Sequence, residues 1–115
     1  MRILVVDDDR VYCRLLAELL EARDYQVDWA GRALEAFKLA QRNYYDLVVI
    51  DARLPIIPGT KLAEGLKAQF PATKMILISA FADTLLTEQA LKLGIPLLCK
   101  PFTNETFLDL VVKTA

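Results

Sequence analysis

Asp7, Asp8, Asp51, Ser79 and Lys100 each stand at or just past the end of a run of apolar residues. Carboxylates gathered in this way, with no imidazole or thiolate among them, make an oxygen-only ligand set suited to a hard divalent cation, Mg2+ or Mn2+. Asp7, Asp8 and Asp9 repel one another as neighbours, and such a cation is the natural counter-charge. Ser79 adds a hydroxyl and Lys100 an ammonium, groups that contact the oxygens of a phosphoryl group. Phosphoryl transfer depends chiefly on positioning and charge neutralisation, so this set is equipped for it. Asp51 then takes the part of nucleophile, accepting the phosphoryl group as an acyl phosphate. The chain contains no histidine, which excludes Ser-His-Asp and Cys-His sites, histidine metal ligands and a phosphohistidine of its own.

These residues meet only if the elements that carry them end at one edge. Apolar runs predict strands over 2–6, 25–30, 46–51, 74–79 and 96–99, and the near-continuous DLVVID and KMILIS read as strands covered on both faces. Helical periodicity predicts helices over 10–23, 32–42, 60–69 and 83–93, with a last one after Pro101. In the first, Val11, Leu15, Leu16, Leu19 and Leu20 share a face; in the second, Ala33, Leu34, Phe37 and Ala40 face the core; Gly94 stops the fourth. Strand-helix alternation implies a parallel sheet with helices on both faces and right-handed crossovers. Functional crevices of such sheets lie beyond the carboxyl ends of the strands. Asp7 and Asp8, Asp51, Ser79 and Lys100 all fall there. Asp9 reads differently, as the cap of the helix starting at Arg10.

Composition narrows the setting. A chain of 115 residues forms one domain, 1–115. With 14 basic and 15 acidic residues and no basic cluster, it lacks a nucleic-acid footprint. No apolar run is long enough for a membrane span. Cys13 and Cys99 show no CxxC spacing and read as small core residues; with no signal peptide, a reducing cytoplasmic location is expected.

VVDDD, DLVVIDARLPIIPG, ILISAFAD and CKPF, in this order and each at a strand end, make the chain resemble the receiver domain of two-component response regulators. The resemblance implies an α/β, flavodoxin-like fold, a five-stranded parallel sheet in strand order 2-1-3-4-5. It implies a phosphorylation-activated signalling switch rather than an enzyme acting on other substrates. Asp51 would be the phosphoacceptor, Asp7 and Asp8 would hold Mg2+ with Asp51 and the backbone carbonyl of Arg53, Ser79 would be the switch hydroxyl, and Lys100 would pair with the phosphoryl group. Pro101 would follow a cis peptide. The implied partners are a sensor histidine kinase or histidine phosphotransfer protein, and a downstream effector or a second copy of the chain docking on the face of the fourth helix, fifth strand and fifth helix. Leu85, Leu86, Leu97, Leu110 and Val111 are candidates for that face.

Several positions depart from the family pattern. Pro58 stands before Gly59 where an Asp is usual, and Leu97 replaces an aromatic switch partner, in a segment from Gly94 to Lys100 that is one residue short. Arg53 and Phe81, two residues beyond the acceptor and the switch hydroxyl, are bulky and would shield the phosphoryl group, slowing its loss, with Arg53 lying over it or pairing with Asp9. Other readings fit less well. A haloacid-dehalogenase-like phosphatase needs a second Asp where Arg53 stands, and a flavin or nucleotide binder needs a Gly-, Ser- or Thr-rich loop where DDDRVY would repel phosphate. A pseudo-receiver, binding partners without phosphorylation, would keep the fold and not need the intact acidic set.

Overall fold

The computed structural model describes residues 1–81 and 83–115; Ala82, within the stretch ILISAFAD, lies outside the described residues. The elements are β1 (Arg2–Val6), α1 (Arg10–Glu21), β2 (Gln26–Ala30), α2 (Ala33–Arg42), β3 (Leu47–Asp51), α3 (Gly59–Gln69), β4 (Lys74–Ser79), α4 (Thr84–Leu93), β5 (Leu97–Cys99) and α5 (Asn104–Thr114). The strands form one sheet in the order β2-β1-β3-β4-β5, every pairing parallel. Registers Val6↔Ile50 and Asp51↔Ile78 carry the strand ends to a common edge.

Alternation along each strand makes two cores. Leu4 and Val6 of β1, with Val48 and Ile50 of β3, pack under Ala33 and Ala36 of α2, Leu62, Ala63 and Leu66 of α3 and Ala90 of α4. Ile3, Val5, Leu47 and Val49 point the other way, onto Cys13, Leu16 and Leu20 of α1 and Phe107, Leu108 and Val111 of α5. Sheets covered on both faces need apolar residues at successive positions, the pattern LVVI shows. Each fully buried aliphatic side chain contributes roughly 1.5–3 kcal/mol of burial.

Caps set the helix ends. Asp9 accepts from the Tyr12 N–H and Asp83 from the Leu86 N–H, while α4 ends at Gly94 in the left-handed conformation with φ 67°. The expected helix and strand limits shift by one or two residues, as the fraying of terminal turns allows.

Four residues expected in the core are exposed. Val11 and Leu15 are 71% and 53% exposed. α1 turns Cys13, Leu16 and Leu20 to the sheet, and at 100° per residue Val11 and Leu15 fall on the far side of that stripe. Leu34, one residue beyond buried Ala33, is 59% exposed for the same reason. Cys13 is a core residue as expected, but Cys99 is exposed, because it ends the short edge strand β5.

Candidate acidic site at the carboxyl edge

Backbone pairing runs past the end of β1 by one residue: the Asp7 N–H donates to the Ala30 carbonyl at 3.1 Å. The Asp7 carbonyl in turn accepts from Trp29 Nε1 at 3.0 Å and from the Cys13 thiol at 3.3 Å, so strand β2 and helix α1 both hold this peptide. The Asp7 carboxylate is buried and accepts the Asp9 N–H at 2.9 Å through Oδ1. Asp8 lies exposed beside it. Asp51 ends β3, with Oδ1 accepting the Arg53 N–H at 2.9 Å. The chain then turns closely into α3: the Gly59 N–H donates to the Ala52 carbonyl at 3.0 Å, and a Cβ on Gly59 would collide with the Asp51 carbonyl oxygen.

Lys100 arrives from the other side. Its N–H donates to the Ser79 carbonyl at 2.8 Å, extending the β4-β5 pairing, and its peptide bond to Pro101 is cis, as the resemblance implied. Its ammonium lies 3.5 Å from Asp7 Oδ2 and 3.7 Å from Asp51 Oδ2, and 4.0 Å from the centroid of the Tyr12 ring.

Oxygens of Asp7, Asp8 and Asp51 all lie within 4.8 Å of one another. Three carboxylates facing one ammonium leave an uncompensated negative charge. Burial, joined by the charge of Asp51, pushes the Asp7 carboxyl up to about 6, against the opposing pull of the Asp9 N–H and of Lys100. A buried carboxyl held this far from its ordinary range, among oxygen donors only, fits a hard divalent cation. The same burial, with Asp7 and Asp51 nearby, pushes the Tyr12 phenol up to about 12, so it stays neutral.

Ser79 is fully buried, and its hydroxyl is engaged in its own loop, donating to the Phe81 carbonyl at 2.7 Å and accepting the Phe81 N–H at 3.1 Å. Arg53 does not pair with Asp9; its guanidinium lies 5.0 Å from the centroid of the Phe81 ring, which is 65% exposed. The Asp9 carboxylate caps α1 instead. Leu97 is half-buried against the core under α2, α3 and α4. Of the candidate interface residues, Leu86 and Val111 are buried, Leu97 and Leu110 half-buried, and Leu85 is 63% exposed. Sequence reasoning missed Tyr12, Cys13 and Trp29 as neighbours of the site. Only Tyr12 left a trace, standing in the first turn, where the Asp9 carboxylate accepts its N–H.

The family model for the response regulator receiver domain matches residues 3–112. The chain belongs to that family. Among its curated relatives is the transcriptional regulatory protein ZraR of Salmonella typhimurium, 34% identical over 112 residues that cover 96% of this chain and 25% of that protein. This receiver spans a quarter or less of the length of such relatives. A CheY-like receiver from Methanospirillum hungatei superposes with a TM-score of 0.94 at 27% identity, covering 97% of this chain and 90% of that one. A response regulator from Burkholderia pseudomallei, solved with a phosphorylated aspartic acid and a calcium ion, superposes with a TM-score of 0.86 at 31% identity, covering 93% of this chain and 64% of that one. Receivers of this family are signalling domains of two-component systems, in which response regulators work with histidine kinases and downstream effectors. No helix among the described residues is long and apolar enough to cross a membrane.

Proposed function

We propose that this receiver is a phosphorylation-activated switch that accepts a phosphoryl group on Asp51 from a phosphohistidine on a sensor kinase or phosphotransfer protein. The observation that carries the reading is the meeting of Asp7, Asp8 and Asp51 with Lys100 at the carboxyl edge of the sheet. The Burkholderia pseudomallei relative, described with a phosphorylated aspartic acid and a calcium ion, supports it.

Asp7 and Asp8, with Asp51 and the Arg53 carbonyl, would hold Mg2+, or Mn2+ in its place. The bound cation would supply positive charge against the oxygens of the incoming phosphoryl group. An oxygen of the Asp51 carboxylate forms the new bond to phosphorus while the bond from phosphorus to the donor's imidazole nitrogen breaks; the electron pair of that bond stays on the nitrogen, which takes up a proton from water. Lys100, already between Asp7 and Asp51, neutralises charge on the transferred group. Ser79 gives up its bond to the Phe81 carbonyl to donate to a phosphoryl oxygen. The loop carrying Phe81 then moves, and the change reaches the face of α4, β5 and α5 for an effector or a second copy.

Acetyl phosphate with Mg2+ should add the mass of one phosphoryl group to the wild type and none to Asp51→Asn. A chain that gains no mass from acetyl phosphate or from a phosphorylated kinase acts instead as a phosphorylation-independent binding module. The reading extends to slow loss of the group: Arg53 and Phe81, two residues beyond the acceptor and the switch hydroxyl, stack on each other, and the pair would shield the phosphoryl group from water. An Arg53→Asn, Phe81→Ala double variant should lose its phosphoryl group faster than the wild type. Equal decay rates would remove the shielding role.

A further inference from the structure

We propose that Tyr12 is the positioning residue for Lys100, its ring face on α1 holding the ammonium between Asp7 and Asp51. The Lys100 Nζ stands 4.0 Å from the ring centroid, well inside the range in which an ammonium is attracted to the negative face of an aromatic ring. The lysine side chain is 23% exposed; partial removal from water strengthens such an attraction.

The ion pairs alone do not fix the ammonium. Its distances of 3.5 Å to Asp7 and 3.7 Å to Asp51 are both long compared with the roughly 2.7–2.9 Å of a charge-assisted hydrogen bond. A four-carbon stem placed between two carboxylates, bonded closely to neither, has freedom along the line joining them. The ring supplies the third wall.

Tyr12 itself is held firmly. Its N–H is taken by the Asp9 cap at 3.1 Å, and its ring meets Phe102 edge-on, centroids 6.4 Å apart at 78°. Phe102 stacks in turn on Phe107 of α5, centroids 5.7 Å apart at 25°, and Phe107 is fully buried. A row of three aromatic rings therefore runs from the Lys100 ammonium into the core beneath α5. Strand β5 offers Leu97, with no ring, so the aromatic contact recorded for this lysine is made from the first helix. The third aspartate of the triplet acts on the site through this row: by capping α1 at Tyr12, Asp9 sets where the ring stands.

The role in phosphoryl uptake rests on the function proposed above, whereas the placement of Lys100 does not, and two readouts separate them. In NMR spectra of the full chain, the ε-methylene protons of Lys100 should be shifted upfield by the Tyr12 ring. The shift should persist in Tyr12→Phe, which keeps the ring, and vanish in Tyr12→Leu. Uptake from acetyl phosphate with Mg2+ should remain within about twofold in Tyr12→Phe and fall about 2- to 30-fold in Tyr12→Leu, the range a cation-ring contact supports. Tyr12→Met serves in the same way if the leucine variant fails to fold. An unshifted Lys100 in the wild type overturns the proposal, as does uptake by the leucine variant at the wild-type rate, or by Tyr12→Phe as slowly as by Tyr12→Leu. A wild type that takes up no phosphoryl group but shows the ring-dependent shift supports the placement of Lys100 and removes the phosphorylation reading.

Discussion

Ile56 is held at φ 70° and is 85% exposed. A β-branched side chain in the left-handed region is crowded against its own backbone, and such a residue stores on the order of 1–3 kcal/mol of strain. A hydrogen bond from the Ile57 N–H to the Pro55 carbonyl at 2.8 Å closes the tight turn around it. Nothing in LPIIPG announces this conformation, because glycine and asparagine are the usual marks of a positive φ and neither stands at position 56. Glycine takes a positive φ with no Cβ to crowd and forfeits almost no burial at so exposed a site. Ile56→Gly should therefore raise the stability of the folded chain by about 1 kcal/mol, relief of the strain outweighing the added freedom of the unfolded chain, seen as a higher urea midpoint with an unchanged slope. A midpoint that stays in place or falls would show that the turn relaxes around isoleucine without strain. Asp24, also at positive φ, 64°, has a short polar side chain that accepts this conformation.

At the scale of elements, two helix starts aim the site. The Asp9 cap begins α1, and Asp9→Ala should cost about 1 kcal/mol while leaving Mg2+ affinity nearly unchanged, measured by urea unfolding and by metal titration. Loss of metal binding in that variant would mean that Asp9 is a ligand. Helix α3 begins at Gly59, against the Asp51 backbone. An added Cβ would collide with the Asp51 carbonyl oxygen and meet Ala52 Cα at 2.9 Å, backbone atoms at the end of a central strand and just past it, with little room to yield. Gly59→Ala should push α3 outward, lower stability by about 1–3 kcal/mol as overpacking does, and slow phosphoryl uptake by shifting Asp51. Unchanged stability and uptake would show that α3 re-docks freely. The elements themselves were legible in the sequence because strands buried on both faces are continuous apolar runs and the helices carry a 3.6-residue period. That period could not say which of too many apolar residues in α1 face the sheet, and so Val11 and Leu15 were misplaced. The carboxylates and Lys100 were legible because the crevice rule needs only the strand ends. Tyr12 was not, since its contact with Lys100 joins positions 88 residues apart that only the finished sheet brings together.

Across the whole molecule, the two cores favour the fold at any pH, whereas the acidic edge works against it once the buried Asp7 carboxyl ionises. That carboxyl moves from an ordinary 3.8 up to about 6 in the folded chain, chiefly through burial. A folded-state value above the unfolded one means that the folded chain binds the extra proton between these limits, so stability must fall as pH rises through them. The contribution is fully present below pH 3.8 and is lost as pH passes about 6. Asp7→Asn removes the titration while keeping the shape, so the metal-free wild type should lose stability relative to that variant, on the order of 2 kcal/mol between about pH 4 and pH 7. Thermal or urea unfolding of both chains across that range in the presence of a chelator measures the difference. Millimolar Mg2+ at neutral pH should restore the wild type, since a cation that binds only the folded site stabilises it by mass action, and should help Asp7→Asn far less. Parallel stability curves for the two chains without metal would show that the Asp7 carboxylate is already solvated or neutralised by Lys100. The acidic edge would then place no charge demand on the fold, and Mg2+ would have no strain of this kind to relieve.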